Sequence, residues 1–477
     1  MRTSALFRRT GWLALALLLA PTLAAADFDD DFTGATLRLD FFHTGDATRE
    51  LVAFDRLKAE GPWPGSRTWL LDDTNLGKYF FEIVDLDSHR VLYSRGFASI
   101  YGEWETTAEA RERVRALPEA LRFPEPRRPF QVRLRKRADD QSFREIWSDT
   151  FDPASRHVDR APVAPRPVRT LLENGDPAGK VDLLILGDGY TEAELARFHT
   201  HADELLEALF RWPPFSERKS DFNVRAIDTP AALSGISRPR SGLYRDSPLG
   251  ATYNIFDSER YVLTLDDRAW RDVAAAAPYD FVVILVNSEK YGGGGIYQLY
   301  ATAAAGSGFA DYLAVHEFGH SFAALADEYY TSSVAYEAPE KIVEPWEPNV
   351  TALHDPERLK WRDLATEGTP IPTPWSKERF EAESNAIQEE RRRLRAEGAP
   401  EERLEELFRR ERALMTELLG AEEHADEVGA FEGASYQPEG LYRPAADCIM
   451  FTRDEVGFCA VCRRAIERVI DLYSRDP

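Results

Sequence analysis

The segment His316-Glu317-Phe-Gly-His320 combines residue types and spacing that can do chemistry. On a helix, residues four apart share a face, so two imidazoles can close on one divalent ion. Zinc suits such a pair, at about 2.0–2.1 Å from each nitrogen. Glu317 lies one position on, within reach of a water on that ion, where a general base belongs. The flanks are apolar and helix-compatible, with Phe309, Leu313, Phe318 and Phe322 available for packing.

Two histidines leave a zinc site one protein ligand short. The extended form of this pattern places Gly seven and His ten residues after the first His. Here Ala323 and Ala326 stand at those positions, and the acids Asp327 and Glu328 follow. Asp327 is the leading third ligand, Glu328 its close rival and Glu432 a distant one. Asp327 would sit about 16 Å beyond His316 on a straight helix. It reaches the ion only if the chain turns back after His320. Glycine would ease that turn, and the chain offers Ala323-Ala324 instead. The competing role for Asp327 is to hold an imidazole N–H.

The elements that must position this helix read as α/β from about residue 170. Val181–Leu186 is a nearly continuous apolar run, as in a strand buried on both faces. Thr191 to Leu209 reads as a helix, with Glu194 in capping-box position. Asn223–Ile227 and Phe281–Val286 read as further strands. Gly292–Gly295 lacks the Gly-Lys-Ser/Thr of a phosphate loop and reads as a flexible bend. It leads into an expected edge strand, Ile296, Tyr297, Gln298, Leu299 and Tyr300, on which an extended substrate could pair.

Residues 27–157 read as an antiparallel β-sandwich, from alternating runs such as Thr36–Phe41, Tyr79–Val84 and Phe130–Leu134. Residues 158–169 hold three prolines and no periodicity, as in a linker. Residues 170–477 form the expected catalytic domain. Within it, 376–427 is dense in Glu and Arg around a thin leucine stripe and reads as an inserted helical hairpin.

Residues 1–26 read as a signal peptide, with a basic start, a short apolar run and Ala24-Ala25-Ala26 before the cleavage point. Export to the periplasm or beyond is therefore expected. Removing Arg2, Arg8 and Arg9 takes the net charge from −23 to −26. So acidic a chain repels phosphate backbones, which argues against nucleic acid as a partner. No later apolar run reaches membrane-spanning length. An oxidising compartment allows one disulfide among Cys448, Cys459 and Cys462, with one thiol left over. A structural zinc there would need a fourth ligand that is not evident nearby in sequence.

The chain resembles the IgA-peptidase family of secreted bacterial metallopeptidases. The resemblance rests on Asp40-Phe-Phe-His-Thr-Gly-Asp46, Pro62-Trp-Pro-Gly-Ser-Arg67, Leu76-Gly-Lys-Tyr79, Leu184-Ile-Leu-Gly-Asp-Gly-Tyr-Thr191 and His316 to Tyr329. It continues in Glu344-Pro-Trp-Glu-Pro-Asn-Val-Thr351, Gly440-Leu-Tyr-Arg-Pro444, Asp447-Cys-Ile-Met450 and Phe458-Cys-Ala-Val-Cys462. It implies an N-terminal β-sandwich followed by a metzincin-like zinc-protease domain. The family's helix usually carries glycines where this chain has Ala323 and Ala324. Similarity to metzincins makes Met450 the Met-turn, an apolar floor beneath the metal. Tyr442 and Tyr436 are candidate donors to a transition-state oxyanion.

The expected activity is hydrolysis of a peptide bond in a protein or peptide substrate, with one catalytic Zn²⁺. The competing class is a secreted binding protein for glycan or host protein, in which the zinc helix is vestigial or structural. Serine or cysteine catalysis has less support, because Gly187-Asp188-Gly189 carries no nucleophile at an elbow position.

Overall fold

The computed structural model describes residues 28–332, 336 and 341–474. The expected signal segment, 1–26, lies outside the described residues. An N-terminal domain rich in antiparallel strands precedes a mixed α/β domain.

The N-terminal domain holds two four-stranded sheets. One runs in the order Arg115–Pro126, Phe32–Gly45, Glu50–Pro62 and Val158–Asp159. The other runs Val91–Phe97, Tyr79–Asp85, Phe130–Arg137 and Phe143–Phe151. Alternate residues of both enter one core, including Leu37, Leu39 and Phe41 from one sheet and Phe81, Ile83, Val132 and Leu134 from the other. The stretch expected as a linker is partly ordered in strands. Val158 pairs with Leu57, and Val168 opens strand Val168–Leu172 beside Phe222–Ile227. Backbone pairing, which composition does not report, captures both ends of the proline-rich stretch.

The second domain is built on a six-stranded sheet. Its order is Gly293–Ile296, Tyr300–Ala304, Phe281–Val286, Val181–Asp188, Phe222–Ile227 and Val168–Leu172. The four central strands are parallel and the two outer ones antiparallel. Every residue of Val181–Asp188 is buried, and the alternation along it explains why. Leu183 and Ile185 face one core with Phe318 and Phe322 of the helix Ala310–Ala323. Leu184 and Leu186 face another that includes Ile100, Tyr101 and Trp104 of the N-terminal domain. That domain therefore supplies part of the cover on the second face of the sheet, beside Trp270 and Val273 of the second domain. Arg38 and Lys58 reinforce the junction, reaching Asp272 at 2.8 and 2.6 Å.

The expected edge strand over 296–300 splits. Ile296 closes the outermost strand, Tyr297–Leu299 turn, and Tyr300 opens the next strand. The glycine run is itself the edge strand rather than a bend leading into one. It lies so close to the helix Ala310–Ala323 that side chains do not fit. A Cβ on Gly295 would sit 2.9 Å from His320 Cβ, and one on Gly293 would sit 3.0 Å from Glu317 Cγ.

The charged region 376–427 contains two helices, Lys377–Ala396 and Glu401–Gly420. Their apolar stripe joins the main core through Leu394, Leu404, Leu407, Phe408 and Met415. The Phe408 ring packs 5.7 Å from that of Phe309, at the start of the His-bearing helix. Glu405 accepts the Gly308 N–H at 2.7 Å.

Candidate metal centre

The helix Ala310–Ala323 is buried around most of its circumference, by Leu313, Ala314, Val315, Phe318, Gly319, Phe322 and Ala323. Packing on all sides makes it a rigid carrier for His316 and His320. Gly319 between them admits Met450. A Cβ there would come within 3.0 Å of the Met450 sulfur, which is itself fully buried. Met450 thus packs against the helix between the two histidines.

The helix stops at Ala323 because Ala324 is left-handed, at φ 57° and ψ 30°. Its N–H reaches the His320 carbonyl at 3.1 Å, closing the last turn. The chain then reverses and delivers Asp327 to the histidines. Asp327 Oδ1 lies 2.9 Å from His316 Nε2 and 3.3 Å from His320 Nε2. The turn that sequence reading associated with glycine is made by alanine. Asn349 clamps it, since its amide accepts from Ala326 N–H at 2.8 Å and donates to Ala326 C=O at 3.0 Å.

The donor set fits one metal ion. His316 Nδ1 lies 2.9 Å from the Ile449 carbonyl and His320 Nδ1 lies 2.5 Å from the Leu325 carbonyl. A carbonyl only accepts, so each Nδ1 carries a proton and Nε2 is left as the nitrogen that faces a metal. The two Nε2 atoms are 3.2 Å apart. Ligands about 2.0–2.1 Å from a tetrahedral zinc stand about 3.3 Å from one another. The three observed separations, 2.9 to 3.3 Å, match that edge length.

The electrostatics are those of a site built for a cation. Burial opposes charge on His320, but Asp327 and Glu317 outweigh it and push its pKa up to about 9. Burial would raise Asp327, yet His320 and His316 hold it well below the usual carboxylate range. Burial pushes the Glu317 carboxyl up, with partial relief from both histidines.

Of the other sequence-predicted residues, Tyr436 is brought in. Its hydroxyl donates to Asp327 Oδ2. Glu328 is turned away from the histidines, because consecutive residues of a nonhelical chain point to opposite sides. Glu432 is not at this centre. Lys377 engages it at 2.8 Å. Tyr442 shares that location, with its hydroxyl 3.5 Å from Glu432, and does not line the cavity described next. Glu432 and Tyr442 pair across a two-stranded ribbon, on which Glu432 meets Lys377. No disulfide forms, since Cys448, Cys459 and Cys462 are all free thiols.

The three metal-facing residues and Glu317 open onto a cavity of 640 Å³. Its walls come from both domains, with Lys78, Glu103 and Arg137 from the first and Arg260, Gly295 and Tyr436 from the second. Sequence reading did not select Glu103. Burial raises its carboxyl to about 7, against hydrogen bonds from Tyr261 and Tyr336. Nor did it select Arg260, which donates to Tyr329 at 2.7 Å. Both lie far along the chain from the helix, and neither belongs to a recognisable local pattern.

A family model described as IgA Peptidase M64 matches residues 170–470, and one described as Peptidase M64 N-terminus matches residues 27–148. No curated protein matches the chain.

Proposed function

The chain belongs to the IgA peptidase M64 family, and from that premise we propose that it is an exported, zinc-dependent endopeptidase with a metzincin-like site. The observation that carries this reading is the convergence of His316, His320 and Asp327, with both Nδ1 atoms committed to carbonyls. These three residues would hold the ion. A zinc ion held there would supply Lewis acidity, polarising a substrate carbonyl and acidifying a water.

The remaining chemistry belongs to the chain's own groups. Glu317 accepts the proton of the attacking water and passes it to the leaving amine. Its burial raises the carboxyl towards the range where both transfers are feasible. Tyr436 fixes the second oxygen of Asp327 and so orients the first. Met450 supplies an apolar floor, and the helical hairpin at 376–427 braces the start of the catalytic helix through Glu405 and Phe408. An extended peptide would lie in the interdomain cavity beside Gly295 rather than along residues 296–300. Export rests on the basic and apolar character of residues 1–26.

The test is Glu317→Gln, with zinc measured by mass spectrometry and cleavage measured on a denatured protein substrate. Zinc should stay, and the rate should fall by about 10²–10⁴. Full cleavage by a zinc-loaded Glu317→Gln protein would overturn the mechanism.

A further inference from the structure

A second cluster of ligand-type side chains lies back to back with the first. Asp327 turns to the histidines, and Glu328 turns the other way towards Cys448, Cys459 and Cys462. One donor atom from each of these four residues lies within 4.8 Å of the other three. Glu328, Cys448 and Cys462 are fully buried, and Cys459 is partly so.

The spacing excludes a disulfide between Cys448 and Cys462, whose sulfurs are 3.9 Å apart, since a bonded pair stands at about 2.05 Å. It suits ligands of one tetrahedral ion. Thiolates about 2.3 Å from zinc stand about 3.8 Å from one another, and a carboxylate oxygen stands slightly closer. The Cys462 sulfur lies 3.5 Å from Glu328 Oε1. Glu328 Oε1 also accepts from Asn349 at 2.9 Å, whereas Oε2 has no hydrogen-bond partner among the described residues. A buried carboxylate left half satisfied is costly unless a cation meets it. Arg443, which is fully buried, acts on Glu328 through space only, because it directs its protons to the Gly433 and Ala446 carbonyls. Three soft sulfurs with one oxygen, in a closed four-ligand set, select zinc over the hard cations.

We infer that Glu328, Cys448, Cys459 and Cys462 hold a structural Zn²⁺, distinct from the ion of the proposed peptidase centre. It would tie three segments together: the loop after the catalytic helix, the Asp447–Met450 segment and the start of the helix Ala460–Ser474. The first of those segments carries Asp327, and the second holds His316 in place. Glu328 N–H donates to the Met450 carbonyl at 2.8 Å, and Ile449 C=O holds His316.

The experiment counts zinc and thiols on the whole mature chain, purified without chelator or reductant. The expected content is about two zinc ions per chain, with about one remaining in His320→Ala and about one in Cys462→Ser. Should Cys462→Ser fail to fold, titration of the wild-type chain with a mercurial thiol reagent serves instead. It should release one zinc as the three thiols react, and His320→Ala should release the same amount. Retention of one zinc by His320→Ala separates this site from the catalytic one. A chain lighter by the mass of two hydrogens, with a Cys–Cys crosslinked peptide, would overturn the inference. So would a single zinc that His320→Ala abolishes and mercurial leaves in place.

Discussion

Ala323 and Ala324 are adjacent and both buried, yet the structure assigns them different responses to glycine. Ala324 sits at φ 57°, where an L-residue pays roughly 1–2 kcal/mol that glycine does not. Against that relief, glycine adds about 0.5–1 kcal/mol of unfolded-chain entropy. It also gives up roughly 0.8 kcal/mol from one buried methyl. The terms cancel to within about 0.5 kcal/mol, so Ala324→Gly should be nearly neutral. Ala323 is helical and fully buried, with no strain to relieve. Ala323→Gly should therefore lose about 1 kcal/mol of helix propensity and about 0.8 of burial, near 2 in all. The assay is urea denaturation of metal-free protein followed by tryptophan fluorescence, comparing midpoints at a shared slope. Zinc content is measured in parallel, and Ala324→Gly should keep it. Equal losses of about 2 kcal/mol at both positions would refute the left-handed turn, and with it the route by which Asp327 reaches the histidines.

Asp327→Ala should remove the zinc that His316 and His320 bind, whereas Glu432→Ala should leave total zinc unchanged in the same mass-spectrometric assay. Tyr436→Phe, which deletes the donor to Asp327, should weaken zinc binding about 10–100-fold in chelator competition. Tyr442→Phe should leave zinc affinity and kcat unchanged, since among the described residues its hydroxyl meets Glu432 alone. In the N-terminal domain, burial opposes charge on His43, but Glu119 at 2.9 Å and Glu50 at 2.6 Å outweigh it and raise its pKa to about 9. A pKa raised on folding stabilises fully below the unfolded value of 6.5 and is lost as pH rises through about 9. The thermal midpoint should therefore fall between pH 7 and pH 9.5, and His43→Gln should flatten that fall.

How much of this was legible depended on how far apart the cooperating residues lie. The pair His316 and His320, with Glu317 beside it, was readable because a helix converts a spacing of four into a shared face. The buried strands Val181–Asp188 and Phe281–Val286 were readable because continuous apolar runs need cover on both faces. Between Asp327 and Glu328 the sequence offered no physical reason to choose beyond order. The left-handed Ala324 and the Asn349 clamp decide it, by setting which way an extended chain alternates. The glycine run was misread as a bend because glycine marks close approach as readily as flexibility. Only the helix packed against it tells the two apart.

The sequence by itself determined the chemistry available: an imidazole pair with a carboxylate one residue on, a β-rich domain followed by a larger α/β domain, and three clustered thiols. Tertiary structure decided which groups meet. It gave the histidines Asp327, gave the thiols Glu328, sent Glu432 to Lys377 and Tyr442 to Glu432, and set Glu103 in the wall of the cavity. The physical reason is that local spacing survives in the chain as periodicity. Contacts that no periodicity encodes exist only once the sheet and its two covering layers have packed.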